Sequence, residues 1–150
     1  MAQSPVVSVP SGFPSEAAAP TSQGASAFAR YWFDQLNLAA QTGETESLLA
    51  LGTPACVACQ RFAESIGNIY GAGGRIEGGR FTVVAAEAPL LKVDQQTARV
   101  TVIYGVSPTR QIDAAGQVMR SVGALSKLDG EMMLARSGPS WLVTSLVVNS

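Results

Sequence analysis

The apolar positions in the first half of the chain recur at the spacing of an α-helix. Between residues 22 and 42 an apolar residue occurs at every third or fourth position, which indicates one amphipathic helix. Its apolar stripe consists of Ala25, Phe28, Ala29, Trp32, Phe33, Leu36, Ala39 and Ala40. Thr21 or Ser22 can cap the start of this helix, and Gly43 can end it.

Two more helices are predicted before the pattern changes. Residues 44–51 indicate a short helix, and residues 53–70 indicate a third. The third begins with a threonine and a proline, a hydroxyl cap followed by the residue type favoured at the first helical position. Its apolar stripe includes the only two cysteines of the chain, Cys56 and Cys59. Both cysteines are therefore expected to be buried.

In the second half of the chain the apolar spacing shortens from a helical period to two residues, which indicates strands. The Asp129-Gly130 pair is expected to form a turn or a bulge. Short links between successive strands imply antiparallel pairing, and helices followed by such a meander of four to six strands form an α+β fold. The predicted strands are 80–86, 98–106, 131–136 and 141–148, with 117–125 as a weaker candidate. In the strand 98–106, Val100, Val102, Tyr104 and Val106 are expected on one face.

Composition separates a linker from a domain. Residues 1–20 contain four prolines together with serine, alanine and glycine, which is typical of a flexible linker. Hydrophobic residues make up 47% of the 150-residue chain and charged residues 14%, so residues 21–150 can form a single domain with its own core. No stretch approaches about 18 consecutive apolar residues, so no transmembrane helix is expected.

Charge and the absence of histidine exclude several functions. The chain has ten basic and eleven acidic residues with no block of like charge, which argues against nucleic acid or an anionic membrane surface as a partner. It has no histidine, so Ser-His-Asp and Cys-His catalysis are excluded. Two cysteines alone make a poor zinc site. No metal, cofactor or catalytic residue is therefore assigned.

The cysteine pair supports two interpretations. Cys56 and Cys59 have the spacing of a redox dithiol, and a helix start can lower the pKa of the first cysteine. The same spacing fits a structural disulfide in an oxidising compartment. No βαβ context precedes the motif, and both cysteines lie on an apolar stripe. The structural disulfide is favoured, and a thiol-disulfide oxidoreductase is the alternative.

Four aromatic residues are candidates for a pocket wall or for the core: Tyr31, Trp32, Tyr104 and Trp141. Tyr31 together with Asp34 has the chemistry of an acid-base pair, but the helical pattern places Asp34 on the solvent side beside Arg30. Packing in the core is the preferred interpretation of the aromatic residues.

The order of elements, ending in a strand that begins Trp141-Leu142-Val143, resembles the nuclear transport factor 2-like (cystatin-like) cone. That resemblance implies three N-terminal helices packed on a curved antiparallel sheet, with a cavity between them. A narrower set of residues resembles one family of actinobacterial lipoproteins of unknown function. The set is Gly24-Ala25, Ala27-Phe28, Arg30-Tyr31-Trp32, Leu36-Asn37, Ala40, Thr42-Gly43, Cys56, Cys59, Tyr70 and Gly73-Gly74.

The second resemblance implies an extracytoplasmic protein, anchored to the outer face of a bacterial membrane by a lipid-modified cysteine that this sequence does not contain. The expected function is a non-catalytic cell-envelope domain that binds a small apolar ligand or an envelope protein. An isomerase- or hydrolase-like enzyme in the cone cavity is a further alternative. Cone folds often dimerise through the sheet, which implies a homodimer as one assembly.

Overall fold

The structure is a computed structural model that describes residues 14–89 and 96–148. Helices precede strands, as predicted for an α+β fold. A short 3₁₀ helix is followed by α1 to α3 and then by seven strands. The helices are the 3₁₀ helix Ser15–Ala18, α1 Ser22–Thr42, α2 Glu46–Leu49 and α3 Val57–Gly71. The strands are β1 Arg75–Gly78, β2 Phe81–Glu87, β3 Thr97–Val106, β4 Thr109–Ile112, β5 Val118–Val122, β6 Leu125–Ser137 and β7 Ser140–Val148.

The strands form two antiparallel sheets that are halves of one bent sheet. The larger half has the order β2-β3-β6-β7 and the smaller half the order β1-β4-β5. The strand breaks at residues 79–80, 107–108 and 123–124 interrupt three neighbouring strands at the same level. Backbone hydrogen bonds from Gly79 N to Pro108 O and from Ser107 N to Arg80 O, both 3.0 Å, continue across the break. The bend explains why seven strands are present where four to six were expected.

The strand region differs from the sequence prediction in two details. The sequence pattern did not indicate β1 or β4, which have only four residues each and mixed polarity. Asp129 and Gly130 lie inside β6 and form neither a turn nor a separate bulge. Gly130 is required there because a Cβ at this position would lie 2.9 Å from the carbonyl oxygen of Val147 on the neighbouring strand.

The start of the third helix also differs from the prediction. The threonine-proline pair at 53–54 precedes α3, and Cys56 is its N-cap. Residues 51–53 instead run beside β7: the N–H of Val143 donates to Leu51 O at 2.8 Å, and the N–H of Thr53 donates to Val143 O at 2.9 Å. This connection therefore covers part of the edge of β7.

The last part of the predicted linker belongs to the folded unit. Ala17 is fully buried, and the indole N–H of Trp141 donates to Ala19 O at 2.9 Å. Arg136 donates to Ala18 O at 2.6 Å and lies 4.8 Å from the centre of the Trp141 ring. The linker boundary at residue 20 was therefore wrong for residues 14–20, while residues 1–13 lie outside the described residues.

The core lies between α1 and the larger half-sheet. The predicted inner face of β3 is confirmed, because Val100, Val102 and Tyr104 are all buried. The predicted apolar stripe of α1 is buried against this face and against β2.

Asn37 joins α1 to the edge of β2. Its Nδ2 donates to Phe81 O at 2.8 Å, and the N–H of Phe81 donates to its Oδ1 at 2.7 Å. It is the one buried side chain among the described residues that is neither apolar nor aromatic. Because both backbone groups of Phe81 are satisfied by one side chain, Asn37 occupies the position that another strand would take.

Replacing Asn37 with leucine should destabilise the fold by about 2 kcal/mol, because it leaves the N–H and C=O of Phe81 without partners. Urea unfolding monitored by circular dichroism measures this change. The matched control is Asn68→Leu on the exposed face of α3, which should change the free energy of unfolding by less than about 0.5 kcal/mol. Equal effects of the two substitutions would show that the hydrogen bonds to Phe81 do not stabilise the fold.

Candidate functional site

Cys56 and Cys59 form a disulfide, with their Cα atoms 5.3 Å apart. This is the bond favoured by the sequence. The exposed fractions are 0% for Cys56 and 1% for Cys59. Sγ of Cys56 also accepts a hydrogen bond of 3.2 Å from the N–H of Cys59, so it caps the first turn of α3.

The segment that runs beside β7 also covers the disulfide. A Cβ at Gly52 would lie 3.1 Å from Sγ of Cys59, and Gly52 pairs with Val143 in an isolated bridge. Thiol-disulfide exchange needs a thiolate to reach a sulfur atom. Because the covering segment is attached to β7 and both sulfurs are buried, the arrangement favours a structural disulfide that closes the first turn of α3.

The interior between α1 and the sheet is filled by aromatic rings. The centroid of Phe33 lies 5.4 Å from that of Tyr104 and 5.8 Å from that of Phe81. Phe62 extends the cluster, at 6.1 Å from Phe81 and 6.0 Å from Trp32. These are ordinary packing distances for aromatic pairs. The cluster occupies the space in which a cone-shaped fold would hold a ligand.

Tyr104 is the polar group at one side of this cluster. Burial raises the pKa of its hydroxyl, and the nearby Asp129 carboxylate raises that pKa further. The phenol therefore stays protonated through the neutral range and can act only as a neutral hydrogen-bonding group. None of the carboxylates of the described residues is buried in the aromatic cluster.

The four predicted aromatic candidates lie in three different places. Trp32 and Tyr104 belong to the aromatic cluster, and Trp141 holds the N-terminal segment through Ala19. Tyr31 is different, because its mostly buried side chain also lines an open groove on the surface.

This groove, which we call the α1 groove, lies between the N-terminal segment and α1 and has a volume of about 390 Å³. It is lined by Pro14, Glu16, Ala27, Arg30, Tyr31, Asp34 and Gln35. A second depression of about 490 Å³ shares Glu16, Ala27 and Arg30 with it and extends to the end of β2. Glu16 was not a sequence candidate, because it was assigned to the linker and no local pattern marks it.

Arg30 and Asp34 do not form the ion pair that their spacing allows. Nη1 of Arg30 donates to the carbonyl oxygen of Val83 on β2 at 3.3 Å, so the arginine lies along the strand edge. Burial raises the pKa of the Tyr31 hydroxyl, and the Asp34 carboxylate raises it further. The Tyr31 hydroxyl is buried beneath the α1 groove, so the polar groups that the groove exposes include the carboxylates of Glu16 and Asp34, which suit hydrogen bonding to a polar partner.

Two kinds of feature are absent from the described residues. Residues 14–89 and 96–148 contain no group of three or more histidine, cysteine, aspartate or glutamate side chains placed to hold a metal ion. Within the same ranges, none of the helices combines the length and the apolar character needed to cross a membrane.

Several solved structures share this fold at low sequence identity. The intermembrane space region of the chloroplast protein ARC6 aligns with a TM-score of 0.64 and 12% identity, covering 86% of this chain and 96% of that chain. The Kfla4162 protein from Kribbella flavida aligns with a TM-score of 0.51 and 11% identity, covering 81% of this chain and 88% of that one. These similarities concern the fold alone.

An NTF2-like protein with a cystatin-like fold from Novosphingobium aromaticivorans aligns with a TM-score of 0.46 and 14% identity, covering 79% of this chain and 76% of that chain. No curated protein matches the sequence. The model of a family of unknown function matches residues 2–146, so the chain belongs to that family, DUF6318.

Proposed function

We propose that this chain is a non-catalytic domain of the bacterial cell envelope that binds a protein partner at its surface. The observation that carries the proposal is the aromatic cluster, since it fills the interior in which a related fold would hold a substrate. With the interior occupied, recognition is left to the outer surface. A protein partner is therefore favoured over a small apolar ligand.

The buried disulfide supports an extracytoplasmic location, because disulfides persist in oxidising compartments. The resemblance to a lipoprotein family supports anchoring by a lipid-modified cysteine upstream of this sequence. In that arrangement the N-terminal residues connect the anchor to the domain.

The α1 groove is the proposed partner site. It is open, it has a mixed polar and apolar lining, and it exposes the carboxylates of Glu16 and Asp34. Polar groups of this kind, placed beside an apolar wall, are typical of surfaces that bind proteins reversibly.

A photo-crosslinking amino acid at Gln35, in the α1 groove, should give an adduct with one protein when the exported domain is irradiated in its native envelope. The same amino acid at Glu64, exposed on α3, should not give this adduct. Asp34→Lys should abolish the Gln35 adduct, because it reverses a charge in the groove, whereas Glu64→Lys should preserve it.

Three results would contradict the proposal. They are the absence of an adduct at Gln35, the same adducts at both positions, and an adduct that survives Asp34→Lys. Native mass spectrometry of the purified protein tests the alternative that the domain binds a small apolar ligand. A small apolar molecule retained through purification would support that alternative over a protein partner.

The structural interpretation of the disulfide gives a separate prediction. Without reductant, the native protein should show no labelling by a thiol reagent, and Cys56→Ala with Cys59→Ala should lower the free energy of unfolding by about 2 kcal/mol. The double variant should still give the Gln35 adduct if the domain is exported and folded. Rapid reduction of the native protein by a small dithiol, together with loss of the adduct in a folded double variant, would instead support the oxidoreductase alternative.

A further inference from the structure

We propose that the open edge of β5 binds an extended, acidic segment of another protein, which adds to the smaller half-sheet as a new strand. This surface is separate from the α1 groove and goes beyond the function proposed for it. The proposal depends on which sheet edges the fold occupies with its own groups, on the side chains of β5 and on the charge around them.

The bent sheet has four edge strands, β1, β2, β5 and β7. Three of them are occupied by groups from elsewhere in the chain. The N–H of Ile76 on β1 donates to the hydroxyl of Tyr70 at 3.3 Å, and that hydroxyl donates to Ala40 O at 2.6 Å. Asn37 occupies the edge of β2 at Phe81, and residues 51–53 occupy the edge of β7 at Val143.

β5 has no such contact within the part of the chain that the structure describes. Val118–Val122 pairs with β4 on one side only, and nothing among residues 14–89 and 96–148 pairs with its other side. Beyond the bend, residues 125–129 of β6 lie beside β3, and among the described residues no strand pairs with their other side. An edge strand with free N–H and C=O groups is a template for pairing with another chain.

The side chains of β5 suit a strand partner. Met119 is 69% exposed and Val118 is 48% exposed, and Leu125 beyond the bend is 37% exposed. β5 bulges here, because Val118 pairs with Ile112 and Arg120 pairs with Gln111, so Val118 and Met119 together offer apolar contact beside the open edge. A strand added here would bury these side chains in addition to satisfying the backbone.

The charge around the smaller half-sheet selects the partner. Residues 75–80 and 109–129 carry five basic and three acidic side chains, although the chain as a whole is slightly acidic. The basic residues are Arg75, Arg80, Arg110, Arg120 and Lys127, and the acidic residues are Glu77, Asp113 and Asp129. Two of the arginines, Arg75 and Arg110, share Glu77 as their ion-pair partner. The net positive charge favours an acidic segment.

The same charge disfavours a second copy of this chain as the occupant. Two β5 edges paired about a twofold axis would bring Arg120 and Lys127 of both copies into one interface, where like charges repel. A basic residue on an edge strand is also a common device against self-pairing. An acidic strand from a different protein satisfies both the backbone and the charge.

The test uses a fluorescent eight-residue peptide of alternating glutamate and valine, with binding to the whole protein followed by fluorescence anisotropy. The peptide should bind, and its affinity should fall as salt is added. Two further peptides are N-methylated at alternate residues, so that each has one of its two backbone edges blocked. The peptide blocked on the edge that faces β5 should not bind. The peptide blocked on the other edge should bind as the unmodified peptide does. A lysine-valine peptide should not bind.

Arg120→Glu should weaken binding of the peptide by about fivefold or more, because an attraction becomes a repulsion. Arg61→Glu, the same charge change on the exposed face of α3, should alter it by less than about twofold. Circular dichroism verifies that both variants are folded. Met119→Ser provides a second variant, which should weaken binding because it removes apolar contact without changing the charge.

The proposal is overturned if the two N-methylated peptides bind equally, since that shows charge attraction without strand pairing. It is also overturned if Arg120→Glu and Arg61→Glu have equal effects, or if the unmodified peptide does not bind. A dimer in sedimentation experiments that Met119→Ser abolishes would assign the edge to a second copy. These outcomes leave the crosslinking result at Gln35 unaffected, so the two surfaces are tested separately.

Discussion

The hydrogen bonds between the side chain of Asn37 and the backbone of Phe81 fix α1 across the edge of β2, and much of the structure depends on this contact. Because one buried amide side chain bonds both the backbone N–H and the backbone C=O of Phe81, the helix can shift little relative to the strand without breaking a hydrogen bond. With that position set, Phe33 and Phe81 face Tyr104 from the helix and from the sheet. The aromatic cluster is thus a consequence of where Asn37 holds α1.

Several residues that carry the lipoprotein resemblance serve the scaffold in this way. Asn37 joins α1 to β2, and the Tyr70 hydroxyl joins the end of α1 to β1. Cys56 and Cys59 close the first turn of α3 beneath the segment attached to β7. Such residues identify a fold more directly than an activity. Ala27, Arg30 and Tyr31 are the members of the set that also line the α1 groove.

The sequence allowed α1, the burial of the cysteines and the inner face of β3 to be predicted, because each depends on local periodicity. It did not allow β1 and β4 to be predicted, since four-residue strands of mixed polarity have no period to detect. The same limit applies to the site. Glu16 and Tyr31 are brought to one groove by the packing of Ala17 and Ala19, a long-range contact that no short pattern records.

The contacts at the sheet edges connect the scaffold with recognition. An unprotected edge exposes a fold to pairing with other chains, and this chain occupies three of its edges with an asparagine, a tyrosine and a short backbone segment. Each of those contacts lies in or beside the helical half of the molecule. β5 lies beyond the bend and makes its main contacts with β4. The bend that divides the sheet therefore separates a closed, packed half from a half whose outer strand is left to a partner.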